Sequence, residues 1–441
     1  MKTHLPLAAL LLAASLSAQS PPPFTGLGDS LGEGVQSADA SYITQPHGYL
    51  NLIAQQMGVA FPLPLISSSP VDFVGETATR SRLQPGVAAA NLAVSGATVD
   101  SLLYQQATQP PQTETSLVLE PRSGSQIQIA SQSPSPFTVC WIGSNDVLSA
   151  VLAFDHLDAS QLTSVAQFTA DYATLVQTLH SNGGKAVLGN IPDVLDIGFV
   201  VTPQDLMTFF GSSLGLPAGS VTTVPTMLLI KLGLVSPAIL QDPSYVLDAT
   251  ELATIEQRLQ TFNQIVAADA APAGFPVADI HTAFQQIAAN PPHIAGATLT
   301  TRYLGGLFSL DGVHPSDIGY SLVANAFIET ADRGYGMSIP PIGPIKLGLT
   351  TLADPFIDWD GNLQVAGRPF AGLLETLGPL LGVSGDFDFP GAPLKAPSSK
   401  AIDPEAGRKF MRAYFSYTGR NPDSPWTEQE AIKIMKALFR P

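Results

Sequence analysis

The chain has 441 residues, of which 45% are hydrophobic and 13% charged, and its formal net charge is −16. That length sets an expectation of one large or two unequal domains, and the apolar content supplies a sizeable core, which excludes a chain disordered throughout. The acidic balance excludes a nucleic-acid partner, because neutralising phosphates needs clustered Lys and Arg.

At the N-terminus, Lys2 precedes an apolar run over residues 5–16. Small residues follow, with Ser15 and Ser17, or Leu16 and Ala18, at the −3 and −1 positions of a cleavage site. Residues 1–18 therefore read as a signal peptide, and a secreted or periplasmic protein is expected. The run is too short to cross a bilayer, and no Cys stands near the cleavage site for a lipid anchor. The single cysteine, Cys140, cannot form an intramolecular disulfide and sits in an apolar run, where it reads as a packing residue.

Five short apolar runs, at 23–28, 88–94, 137–142, 185–190 and 275–280, are each followed by turn residues and then by a longer helical pattern. Runs of this length without strict alternation suit strands buried on both faces of a parallel sheet. Helices are predicted over 46–58, 161–181, 249–269 and 316–332. In 161–181, Leu162, Val165, Phe168, Tyr172, Leu175 and Leu179 recur at helical spacing, and Gly183-Gly184 stops the helix. The alternation predicts an α/β fold, a three-layer α/β/α sandwich around a parallel five-stranded sheet, over residues 19–335.

Two regions fall outside this alternation. Residues 206–240 form an apolar insertion with one charged residue, Lys231, and read either as core or as a lid for a hydrophobic acyl chain, with the lid favoured. From about 336 the chain is rich in Pro and Gly. Residues 395–441 then hold nine of the twenty basic residues against five acids. A predicted helix over 427–439 places Ile432, Met435, Leu438 and Phe439 on one face beside Lys433 and Lys436, a pattern suited to transient contact with a membrane or acidic surface.

Ligands bind at the carboxyl ends of the strands in such sheets. Three polar clusters fall there: Gly28-Asp29-Ser30-Leu31, Ser95-Gly96-Ala97 and Gly143-Ser144-Asn145-Asp146. A fourth, Asp311-Gly312-Val313-His314, precedes the last helix. Together they supply the parts of acyl transfer. Ser30 would be the nucleophile and His314 its base. Asp311 would hold the imidazole, and the amides of Ser30 and Gly96 with the side chain of Asn145 would receive the oxyanion. Only neutral imidazole accepts a proton, so activity is expected to fall at acid pH. Asp146 reads as an ordinary helix cap.

These four clusters, in this order and spacing, resemble the conserved blocks of the GDSL-type (SGNH) hydrolase family, and Asn91-Leu92-Ala93-Val94-Ser95-Gly96-Ala97 is similar to its second block. The resemblance spans residues 24–332. It implies a flavodoxin-like fold, ester hydrolysis without a cofactor, Ser30, Asp311 and His314 as the triad, and Ser30, Gly96 and Asn145 as the oxyanion hole. It also implies that insertions supply the substrate pocket.

Competing patterns are weaker. Gly211-Ser212-Ser213-Leu214-Gly215 matches a Gly-x-Ser-x-Gly elbow, but Leu216-Pro217-Ala218-Gly219 cannot start the helix which that elbow requires. In Gly26-x-Gly28, Leu31 stands where a dinucleotide fingerprint needs its third glycine. The seven histidines are scattered without metal-ligand spacing, and Asp358-Trp359-Asp360-Gly361-Asn362 is out of step with a calcium loop and reads as a turn. The expected substrate is a small-molecule or lipid-like ester. The alternatives are a carbohydrate O-acetyl ester, or a binding protein with an inert hydrolase-like domain.

Overall fold

The computed structural model describes residues 22–67, 80–108, 110–111, 113–367 and 399–438. The expected signal peptide and Phe439 lie outside these residues.

Four strands, β1 (Thr25–Gly28), β2 (Phe137–Trp141), β3 (Lys185–Gly189) and β4 (Val277–Ala278), form one parallel sheet in the order β1-β2-β3-β4. Its register pairs Gly26 with Val139, Val139 with Val187, and Leu188 with Val277. The sheet thus has four strands where five were expected. The missing one, at 88–94, lies beside β1 but pairs with it only through a single bridge, Gly26 with Asn91. Its hydrogen bonds to β1 are nonetheless those of a neighbour: Gly26 N to Ala90 O at 3.1 Å, Leu92 N to Gly26 O at 2.9 Å and Val94 N to Gly28 O at 3.1 Å. The next ladder bond would come from Gly28 N, but the Gln126 side chain accepts from it at 3.0 Å, which keeps the pairing short. With this segment counted, the spatial order is second, first, third, fourth, fifth in sequence, the doubly wound order whose strand ends meet at a ligand crevice.

Both faces of the sheet are covered. Val139 and Trp141 of β2 face one layer and Cys140 faces the other, so alternate residues feed two separate cores. On the first face lie α1 (Tyr49–Met57) and the last helix of the unit, Asp317–Tyr335. Tyr49 meets Phe327 at 5.2 Å and Trp141 at 5.5 Å between ring centroids. On the second face α2 (Val165–Ser181) and α3 (Ala249–Ala273) stack Phe168 on Phe262 at 3.8 Å. Losing a fully buried ring of this kind costs about 3–5 kcal/mol. Helix starts follow their caps. Val165–Ser181 begins where the Ser164 side chain accepts from Gln167 N, after a separate turn at Ala159–Gln161, so the predicted start at 161 is early.

The second half of the apolar insertion, residues 221–235, is core. Its helix α4 (Val224–Lys231) is hydrophobic all round, and Val224 to Ile230 are buried. Such a helix needs cover on every side. The cover includes α5 (Pro404–Tyr417) and α6 (Glu428–Leu438), the latter packed directly on α4. Asp403 N donates to Lys231 O at 2.9 Å, Gly407 approaches the backbone of Leu232, and Lys436 pairs with Asp155 at 2.8 Å. Ile432, Met435 and Leu438, the face expected to meet a membrane, are buried here. Residues 336–343, linker-like in composition, also pack back on the domain. Ile339 and Ile342 are buried, and the Asn325 side chain brackets Ile342 by accepting from its N and donating to its O.

Candidate active site

β1 ends at Gly28, which sits where any side chain would collide with β2: an added Cβ would lie 2.4 Å from Trp141 O. The Gln126 side chain holds this glycine by both backbone groups, donating to its O at 2.9 Å and accepting from its N at 3.0 Å. The chain turns at Asp29, whose carboxylate caps the four-residue helix Ser30–Glu33 by accepting from Leu31 N at 3.0 Å. Ser30 therefore occupies the first helical position, nearly buried at a strand end.

The loop before Asp317–Tyr335 brings the other two residues together. Asp311 Oδ2 lies 2.7 Å from His314 Nδ1 and accepts from Ala38 N at 2.6 Å. Its Oδ1 accepts from Val313 N and His314 N at 2.8 and 2.9 Å. Gly312 makes the turn with φ of +72°, and an added Cβ would lie 2.6 Å from Phe199 N. Burial alone would raise the Asp311 pKa. The charge of His314 and the hydrogen bonds from its ring and backbone outweigh that and hold the carboxyl below its usual range. Asp311 is thus kept ionised, as a group that fixes an imidazole tautomer must be. The second ring nitrogen of His314, Nε2, is buried in a residue only 1% exposed and has no hydrogen-bond partner among the described residues. A buried unpaired nitrogen costs about 1–3 kcal/mol, so it marks either a strain or a functional group awaiting its partner.

Ser30, Asn145, Val313 and Pro315 line one cleft, with Val194, Ile197 and Phe308 among its apolar walls. His314 stands between two of the lining residues. Asn145 opens a helix, Asn145–Leu152, and spends one amide hydrogen on Ala97 O at 2.9 Å, leaving the other free. Gly96 is exposed with φ of +74°, and neither its N–H nor that of Ser30 has a partner among the described residues. The four sequence clusters thus converge at one end of the sheet, and three donors there stand unspent.

The family model described as GDSL-like Lipase/Acylhydrolase matches residues 25–327. The chain belongs to this family. It is accordingly a carboxylic ester hydrolase, on an α/β fold with a parallel sheet. Among solved structures, LAE5, an alpha/beta hydrolase from the metagenome of Lake Arreo, Spain, is 13% identical with a TM-score of 0.34, covering 70% of this chain and 95% of that one. TesA is 11% identical with a TM-score of 0.33, covering 70% and 98%. Axe2, an acetylxylan esterase from Geobacillus stearothermophilus, is 15% identical with a TM-score of 0.32, covering 70% and 94%. No curated protein matches the chain.

Several residues of this GDSL-type site carry no motif signal. Glu33, fully buried three residues after Ser30, accepts from both Ser95 N and Ser95 Oγ at 2.7 and 2.6 Å, which fixes the residue next to Gly96. Burial, with the neighbouring Glu114 adding to it, pushes the Glu33 carboxyl well above its usual range. The buried Arg80 pairs with Glu114 at 2.9 Å. Asp146 is not the helix cap expected from the sequence. It accepts from Val99 N at 3.1 Å, tying the helix after Gly96 to the helix that Asn145 opens. The rival Ser213 lies in a loop entered from the helix Pro203–Phe210, which ends at Gly211, and not from a strand as that elbow requires. Asp358 and Asp360 accept from the backbone of their own turn, and among the described residues no group of three or more His, Cys, Asp or Glu is placed to hold a metal.

Proposed function

We propose that this chain is a secreted serine ester hydrolase that works through an acyl-enzyme on Ser30, with lipid-like or short-to-medium acyl esters as substrates. The observation that carries the reading is the buried, unpartnered Nε2 of His314, held in position through Nδ1 by an ionised Asp311 in a loop whose neighbours line the Ser30 cleft. In this reading His314 takes the Ser30 proton as Oγ attacks the ester carbonyl. The Ser30 and Gly96 amides and the Asn145 side chain receive the oxyanion. The alcohol departs with the proton from His314, and water, activated by the same imidazole, releases the acid.

The apolar walls of the cleft support an alkyl over a sugar substrate. Trp141, the one tryptophan on the cleft, is 1% exposed between Tyr49 and Phe327 and offers no stacking face for a carbohydrate O-acetyl ester. A binding role for the basic helix is left with Lys433, since its apolar face is used internally and Lys436 pairs with Asp155. Hydrolysis of p-nitrophenyl butyrate by purified protein and by Ser30→Ala tests the proposal. Turnover should fall to background in the variant, and undiminished turnover would sink it.

A further inference from the structure

A second, largely apolar pocket lies against the same wall. It opens between the helix Ile280–Ala289, which follows β4, and the helix Asp317–Tyr335, which follows His314. Ala283 and Ile287 face it from the first helix, and Leu322 and Ala326 from the second. Apart from Thr301, its lining is aliphatic and aromatic. Two residues belong to both this cavity and the Ser30 cleft: Phe284, half-buried and 6.0 Å from Phe308 between ring centroids, and Pro315, next to His314. One side chain and one proline ring are therefore common to the walls of the nucleophile's cleft and of a space without charge.

From this juxtaposition we propose that the cavity is the continuation of the substrate site and takes the unbranched alkyl chain of the ester, with Phe284 as the divider the chain passes. The inference rests on the proposed ester hydrolysis at Ser30. An alkyl chain fits because it asks for no hydrogen bond, and the cavity walls offer almost none. A sugar or an ionised tail would lose its hydration there without replacement. The chain gains by leaving water, and each methylene buried contributes enough to raise kcat/KM up to about fourfold. The same walls suit an alkyl chain on either side of the ester bond, so acyl and alcohol arms are tested separately.

The acyl arm uses p-nitrophenyl esters from acetate to dodecanoate, and the alcohol arm uses alkyl acetates of matching lengths. In one arm kcat/KM should climb with length over several methylenes. Ala283→Phe and Ala326→Phe, which fill the cavity from opposite walls, should each flatten the climb and lower the long-to-short ratio at least tenfold. Ile287→Ala, which enlarges it, should extend the climb to longer chains. Two fillers guard against misfolding of one, and thermal melts show which are folded. A ratio independent of length in both arms, or a climb that survives both fillers, overturns the inference. Binding of decanol to the Ser30→Ala protein, measured by calorimetry, separates this from the catalytic proposal. Decanol should bind, and the fillers should weaken it at least tenfold whether or not the esters turn over. Binding that the fillers leave unchanged, or no binding, overturns the cavity assignment.

Discussion

Asp29 offers a test of the site's electrostatics that needs no substrate. Its carboxyl is buried beside Ser30, and burial pushes its pKa from 3.8 up to about 7, against the partial relief given by the Leu31 N–H and by His314. A group whose folded pKa is raised binds more protons when folded than when unfolded, so its contribution to stability falls as pH rises from about 4 to about 7. Above that window, holding the ionised form in the folded site costs on the order of 4 kcal/mol, at about 1.4 kcal/mol for each tenfold change in proton affinity. Asp29→Asn keeps an oxygen to accept from Leu31 N–H and removes the charge. The variant should therefore be close to wild type in stability at pH 4.5 and more stable at pH 8, by a few kcal/mol. Thermal melts of both proteins across this range read the difference directly. A variant equally stable or less stable at pH 8, or a gap that narrows with rising pH, would refute the reasoning.

Other consequences concern turnover. Asn145→Ala should lower kcat about 100- to 1000-fold with little change in KM, the cost of one oxyanion donor; an unchanged kcat would remove Asn145 from the hole. Asp311→Asn should lower kcat by about 10⁴-fold by losing the group that orients the imidazole, and a loss under tenfold would speak against that role. The Glu33 contact with Ser95 predicts a positioning role for Gly96. Glu33→Ala should lower kcat up to about 100-fold, while Glu33→Gln, which can still accept from Ser95, should recover most of it in a kcat and KM comparison. Equal losses in both variants would make Glu33 a packing residue only.

The positions that converge at the Ser30 cleft were legible as candidates because each lies in a short stretch at a strand end or before a helix, where local chain direction decides where a side chain goes. What holds them in place was not. Glu33 reaches Ser95 across 62 residues and Gln126 reaches Gly28 across 98, and no local pattern encodes such pairs. The run at 88–94 reads as a strand by composition, yet the Gln126 side chain takes Gly28 N, which a longer ladder would need. The helix over 427–439 was legible as amphipathic, but an apolar face suits a lipid surface and a protein core equally. Only the fold shows that Val224–Lys231, buried on all sides, is what it covers. For the same reason residues 221–235 of the insertion, whose hydrophobicity suits a lid and a core alike, are interior, while the walls of the Ser30 cleft came from residues such as Val194 and Phe308 with no pattern of their own.

The central claim, that Ser30 is a nucleophile activated by His314, is tested most directly by reaction with a fluorophosphonate probe followed by peptide mass spectrometry. Wild-type protein should carry one adduct, on Ser30, and lose ester hydrolysis in step with labelling. His314→Ala, which removes the base, should label far more slowly. An adduct on another serine such as Ser213, or full activity in protein fully labelled at Ser30, would contradict the account.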